Sequence, residues 1–413
     1  MTWRLPPRWL RRILIAPAVV LLAVLLLPAD VVLVVLVGGV LTWLAPGRLR
    51  SPRVLWMASF YVLWDAALLV AAFVLWVASG FGVAIRRPAF EQTHYALARR
   101  ALQVLFWQVQ WTLRLQIDVV DADLGRTFEG RPIVVASRHA GPGDSFILVH
   151  ALLDGFARAP RIVLKDTLQW DPAIDVMLNR LPAQFVTPRD SRRAGAPGVS
   201  GAVGRLARGL GQRSALVIFP EGGKVTPHRR LARIEALRRA GRRHLAEAAE
   251  QMHHVMAPHA GGILSALAQA PHAGVVFVAH TGLEKLVTVR DVWRELPMDK
   301  RIVMKGWSVE PAEIPDGSDQ QEGWLFDWWL RVDRWISEHD PGAAGHVPGH
   351  EPAGLLAVVD GASDAVEQVD PRVVTLGEDA QLVPEAPPVD GLAQQPLHEP
   401  DLVRKDDEPR TLA

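Results

Sequence analysis

Two long apolar runs near the start of the chain restrict its fold more than any other feature. Ile13 to Ala45 is almost wholly apolar, broken by Pro28-Ala29-Asp30, and Val54 to Ile85 is apolar again, broken by the lone Asp65. A bilayer core of about 30 Å takes about 20 helical residues to cross. Each run is therefore longer than one span and shorter than two, and apolar sequence extends far past the core of a cleaved leader. Arg4, Arg8, Arg11 and Arg12 precede the first run, Arg48, Arg50 and Arg53 separate the two, and Arg86 and Arg87 follow the second. Basic flanks favour the cytoplasmic side. The expectation for residues 1–87 is two membrane-embedded helical hairpins, each returning to the face it entered from, with single tilted spans as the alternative.

Beyond residue 87 the character changes. Pro88 to Leu113 has an amphipathic helical pattern, with Trp107 and Trp111 one turn apart. Strand-like and helix-like runs then alternate: strands over 131–136, 161–164, 184–186, 215–219 and 274–279, and helices from about Asp144, over 172–179, 201–210, 231–252 and 324–336. Alternation of this kind predicts an α/β fold with a largely parallel central sheet flanked by helices. The tryptophans 324, 328, 329 and 335 recur at helical spacing, which reads first as core and second as an interfacial belt. The domain is expected to span 88–340. From Pro341 onward Pro, Gly, Ala, Asp and Glu dominate without apolar period, which predicts an acidic disordered tail over 341–413.

Charge follows the same division. The chain carries Lys+Arg 45 against Asp+Glu 44, but residues 341–413 hold 4 basic and 14 acidic residues, leaving 41 basic and 30 acidic in the rest. A basic body beside apolar segments suits an anionic membrane surface or phosphate-bearing ligands. No nucleic-acid motif accompanies it. With no cysteine there is no disulfide, thiolate metal site or cysteine nucleophile.

Two loops carry the chemistry, each just after an apolar strand, where ligands gather in parallel sheets. Ser137-Arg138-His139-Ala140-Gly141-Pro142-Gly143-Asp144 places a histidine and an aspartate five positions apart across a bend rich in Gly and Pro. An imidazole is a good base near neutral pH, and a carboxylate that fixes its tautomer improves it. Taken singly, Asp144 also reads as a helix N-cap and His139 as a surface histidine. The second loop is Phe219-Pro220-Glu221-Gly222-Gly223-Lys224.

In these two blocks, in this order, the chain resembles the glycerolipid acyltransferases, the 1-acylglycerol-3-phosphate acyltransferases and their relatives. That family carries Asn-His-x4-Asp and Phe-Pro-Glu-Gly-Thr-Arg. The resemblance covers roughly residues 133–336, and Trp324-Leu325-x3-Trp329…Asp is similar to the domain end in the multi-pass branch. It implies a membrane-bound enzyme that moves a fatty acyl group from a thioester, acyl-CoA or acyl carrier protein, to the hydroxyl of a lysophospholipid. The acceptor expected first is 1-acylglycerol-3-phosphate, giving phosphatidic acid. It also implies no cofactor and no metal, and a catalytic domain on the cytoplasmic face of the cell membrane.

Residue by residue, the resemblance makes His139 the base and Asp144 its partner. Glu221 would bind glycerol hydroxyls or order its loop, and Gly222 would allow close backbone approach. Arg189, which ends Ala183-Gln184-Phe185-Val186-Thr187-Pro188-Arg189, matches a phosphate-binding arginine, although the rest of that block departs. Lys224 stands where the family has arginine, so a charge survives while the bidentate fork does not. Arg138 stands where the family has asparagine and either adds a cation beside the phosphate or points to solvent. His253, His254 and His259 lack the carboxylate or cysteine of a recognisable metal site, and His280 reads as structural. Ser137 and Ser145 sit in no nucleophile elbow. Lys224 and Arg138 keep open a lysophospholipid acceptor with a larger head group; a catalytically silent lipid-binding protein on the same fold is a third reading, against which the intact His139 and Asp144 argue.

Overall fold

The computed structural model describes residues 5–44, 50–120, 128, 130–140, 143–186, 198–223, 225–282 and 301–339. The chain divides into two units, Met1–Val347 and Pro348–Ala413, and the described residues all lie in the first. The tail expected over 341–413 lies outside them.

The first apolar run forms helix α1, built from Arg8–Leu10, a π-helical turn Arg11–Ile15 and the stretch Ala16–Leu44. The second forms α2, Arg50–Ala78. There follow α3 (Pro88–Leu113), β1 (Gln116–Val120), β2 (Ile133–Ser137) and α4 (Asp144–His150, prolonged by a π-helical turn Ala151–Gly155). Next come β3 (Ala159–Lys165), α5 (Pro172–Leu178), β4 (Ala183–Val186), α6 (Gly198–Ala207) and β5 (Ser214–Ile218). The rest are α7 (Pro227–Arg239), α8 (Arg243–Glu250), α9 (Ala260–Gln269), β6 (Gly274–Thr281), β7 (Arg301–Val309) and α10 (Ser318–His339).

The strands form one sheet in the order β1-β7-β6-β2-β5-β3-β4. β6, β2, β5, β3 and β4 are mutually parallel, β7 is antiparallel to β6, and β1 is parallel to β7. β2, β5 and β6 are apolar along nearly their whole length because both faces are covered. Side chains alternate between the faces with the period of the pleat. Val134, Ala136, Leu216, Ile218 and Phe277 face the layer of α6 to α10, where Phe277 stacks on Trp328 at 4.7 Å. Ile133, Val135, Val217, Val276 and Val278 face the layer of α2 to α4. Trp329 is fully buried, so the tryptophans of α10 close the core instead of forming an interfacial belt.

The structure departs from the sequence reading in five places. Strands β1 and β7 and helix α9 were not expected. β7 buries alternate residues only, so it lacks the continuous apolar signal of the central strands. The helix expected over 231–252 is two helices, parted where Gly241 takes φ +73°, a conformation that ends helices and suits glycine. Finally, neither N-terminal run turns back within its helix: the first stays helical to Leu44 and the second to Ala78, with turns from Ser79 on, so α1 and α2 pack along each other as a single pair in place of two hairpins. A reversal inside an apolar run would leave unpaired backbone groups among apolar side chains, whereas a continuous helix pairs them.

Both helices contain stretches apolar and long enough to cross a membrane, by length and composition. They are tied to the domain by polar contacts around α5. Arg11, buried, donates to Asp175 Oδ1 at 2.8 Å and to the Gln169 carbonyl at 3.1 Å. Asp65, the residue that breaks the second apolar run, accepts the Ala173 N–H at 3.1 Å, and Tyr61 donates to Asp171. Away from these contacts, Leu21 and Leu25 on α1 and Phe73 and Val74 on α2 are exposed.

The strand order positions the site. β2 lies between β5 and β6, with Ala136 paired to Ile218 and Ser137 to Val278. The chain segments that leave these three parallel strands therefore emerge side by side.

Candidate active site

His139 stands two residues past the end of β2, and Asp144 opens α4. Asp144 is the first helical residue, after an N-cap at Gly143, so its carboxylate is not spent as an N-cap. It faces the imidazole instead. His139 Nδ1 lies 2.9 Å from Asp144 Oδ2 and 3.1 Å from Oδ1. The Asp144 side chain is 1% exposed and that of His139 is 20% exposed. This arrangement assigns the Nδ1 proton to the hydrogen bond with the carboxylate and leaves the Nε2 lone pair for a substrate, the tautomer that a general base requires. The half-open imidazole can be reached, and the carboxylate behind it is dry.

Glu221, at the end of the β5 loop, is fully buried. Its Oε1 accepts the backbone N–H of His139 at 3.2 Å and its Oε2 that of Met256 at 3.3 Å. Burial pushes its carboxyl up to about 8, against the opposing pull of the Arg138 guanidinium and the two backbone donors. Of the two roles expected of Glu221, ordering the loop is the one that this geometry serves. Gly222 takes φ +67°, and a Cβ there would stand 3.5 Å from the His259 ring.

Arg138 departs from both expectations. It is 2% exposed, and its guanidinium turns inward, donating to the carbonyls of His280 at 2.7 Å and His254 at 3.3 Å. A cation with these partners stitches the ends of three chain segments together and points neither to solvent nor into an open phosphate site. Ser137 is buried with its hydroxyl on the Arg138 carbonyl, and the Ser145 hydroxyl lies 3.4 Å from Asp144 Oδ1. Arg189 and Lys224, and with them Gly141 and Pro142 of the first loop, lie outside the described residues.

Three residues near the site were not assigned to it by the sequence. His280, at the end of β6, brings Nε2 to 3.8 Å from Asp144 Oδ2. Asp333 of α10 accepts three consecutive backbone N–H groups, from His253 at 3.0 Å, His254 at 2.6 Å and Val255 at 2.9 Å. It thereby holds the segment whose next N–H, that of Met256, reaches Glu221. Arg229, in the first turn of α7, lies across Gly223. None of these had a local signal, since each depends on elements distant in sequence.

The model of the family described as Acyltransferase matches residues 116–290, from β1 past the end of β6 and through both loops. Over these residues the chain is similar to the acyltransferase family, and both motif blocks lie inside the matched span. A search of curated protein sequences found no match. Among solved structures the chain is similar to the crystal structure of the 1-acyl-sn-glycerophosphate (LPA) acyltransferase, PlsC, from Thermotoga maritima. The identity is 12% and the TM-score 0.40, over 69% of this chain and 97% of that one.

Proposed function

We propose that this acyltransferase transfers a fatty acyl group from a thioester to the free hydroxyl of a lysophospholipid at a membrane surface, with 1-acylglycerol-3-phosphate as acceptor. The observation that carries the reading is the His139–Asp144 pair at 2.9 Å, buried on its acid side and open on its base side. His139 Nε2 takes the proton of the acceptor hydroxyl as its oxygen attacks the thioester carbonyl. The C–O bond forms, the carbonyl becomes a tetrahedral oxyanion, and its collapse breaks the C–S bond. The departing thiolate then receives the proton from His139. Asp144 holds the ring and stabilises the imidazolium between the two transfers. The step consumes one thioester and one alcohol and needs no acyl-enzyme.

The membrane part of the proposal rests on the apolar α1–α2 pair with its exposed leucine, valine and phenylalanine side chains. The basic residues at its flanks support a cytoplasmic placement of the domain. The donor is an acyl-CoA or acyl carrier protein thioester.

The test is a single-turnover assay with labelled oleoyl-CoA and lysophosphatidic acid on detergent-solubilised protein. His139→Ala should lower the rate by about 10²–10⁴-fold, the usual contribution of a positioned base, without loss of lipid binding. Full activity in His139→Ala would end the proposed mechanism. Product only with a larger-headgroup lysophospholipid would move the acceptor and keep the mechanism.

A further inference from the structure

We propose that Arg229 binds a phosphate group of the substrates, its guanidinium seated on the bare backbone of Gly223 beside the catalytic loop. The inference deepens the acyltransferase reading above and rests on it.

The sequence poses the problem. The second loop ends in Gly223-Lys224, so this chain has no side chain at 223 and no guanidinium at 224. Helix α7 supplies one from a different direction. It begins after Thr226, whose hydroxyl accepts the Arg229 N–H at 3.4 Å, which fixes Arg229 in the first turn. From there the side chain reaches back over the loop. Nη2 lies 3.5 Å from the Gly222 carbonyl. A Cβ at Gly223 would stand 2.7 Å from Nη1, 3.2 Å from Nη2 and 3.3 Å from Cζ. Those distances mean that the guanidinium occupies the space of a side chain at 223, and any residue larger than glycine would expel it.

The place matters because of what adjoins it. Glu221, two residues before Gly223, clamps the backbone of His139, and Phe219 lies 5.1 Å from the His139 ring, between centroids. Arg229 is exposed, and its neighbours add positive charge: burial foremost, and then Arg233 and Arg229, disfavour the charged imidazole of His259. A planar guanidinium at the rim of the site, in a basic setting, is suited to two-point binding of a phosphate. Both substrates of the proposed reaction offer one: the acceptor through its glycerol phosphate, and an acyl-CoA donor through its nucleotide phosphates.

The experiment separates the sources. Initial rates of wild type, Arg229→Ala and Arg229→Lys would be measured with lysophosphatidic acid or phosphate-free monoacylglycerol as acceptor. The donor would be oleoyl-CoA or phosphate-free oleoyl-pantetheine. If the acceptor phosphate is bound, Arg229→Ala raises KM for lysophosphatidic acid by about 10- to 100-fold and leaves monoacylglycerol kinetics unchanged with either donor. If the donor phosphate is bound, the penalty follows oleoyl-CoA and vanishes with oleoyl-pantetheine. Arg229→Lys recovers only part of either loss, and thermal stability stays at the wild-type value. Calorimetric titration of glycerol 3-phosphate and of coenzyme A into the same variants gives a readout independent of turnover. Kinetics and binding that do not change with Arg229→Ala would overturn the assignment. An inactive wild type would instead overturn the acyltransferase reading, and the titrations would still decide the role of Arg229.

Discussion

Glu221 shows how one side chain can hold a loop in place through backbone groups alone. Its two oxygens take the backbone N–H groups of His139 and Met256, so the His139 backbone cannot shift without breaking a buried hydrogen bond. Burial raises the carboxyl from 4.5 to about 8, which has a consequence for stability. The unfolded chain releases this proton near pH 4.5, and the folded chain holds it until about pH 8. The contribution of Glu221 is therefore full below pH 4.5 and drains away as pH rises to about 8. The thermal midpoint of the wild type should fall between pH 5 and pH 8, and Glu221→Gln, which has no proton to release, should show a flatter profile over that range. Equal slopes for the two proteins would mean that Glu221 is ionised in the fold. The His139–Asp144 contact was legible in the sequence because five residues and a tight loop are enough to join the two side chains. The Met256 partner of Glu221 was not, because nothing in either segment marks the other.

At the scale of elements, α10 does more than close the core. Trp329 and Ile336 bury the helix against the sheet, and Asp333 turns that anchorage into order elsewhere by holding residues 253–255 through three N–H groups. From this segment the His254 carbonyl takes Arg138 and the Met256 N–H takes Glu221. Removing the carboxylate strands three backbone donors, and a buried unsatisfied polar group costs about 1–3 kcal/mol. Asp333→Ala should therefore lower the unfolding midpoint in urea. It should also lower kcat with lysophosphatidic acid more than it raises KM, and Asp333→Asn, which keeps one acceptor, should recover part of both losses. A variant that loses stability but keeps kcat would show that the segment does not govern the base. The α10 helix itself was visible as tryptophans at helical spacing. The role of Asp333 was not, because three aligned N–H groups are a property of folded backbone and have no residue signature.

At the scale of the whole molecule, the polar tethers of α1 and α2 set them against the domain through α5. The lone Asp65, read in the sequence as an interruption, is one of those tethers. On α3, Trp107 and Trp111 are 63% and 67% exposed, and an exposed tryptophan gains most where one side is apolar and the other wet. If the domain rests on a membrane, as proposed, replacing both with alanine should weaken flotation with anionic liposomes while leaving turnover in detergent unchanged. Undiminished flotation would assign membrane attachment to α1 and α2 alone.

The sequence by itself determined what is local. Continuous apolar runs marked the central strands, because burial on both faces leaves no room for polar residues, and the same signal marked the long N-terminal helices. The His139–Asp144 spacing marked the imidazole–carboxylate pair. What only the tertiary structure decided is what meets what. Strand order is set by pairing between segments far apart, such as β2 beside β5 and β6. That pairing brings Glu221 to the backbone of His139 across 82 positions and His280 to Asp144. The same holds for Arg229. In the sequence it is one arginine among many on a charged helix, and it became a candidate ligand only because Gly223 left space for its guanidinium beside the site.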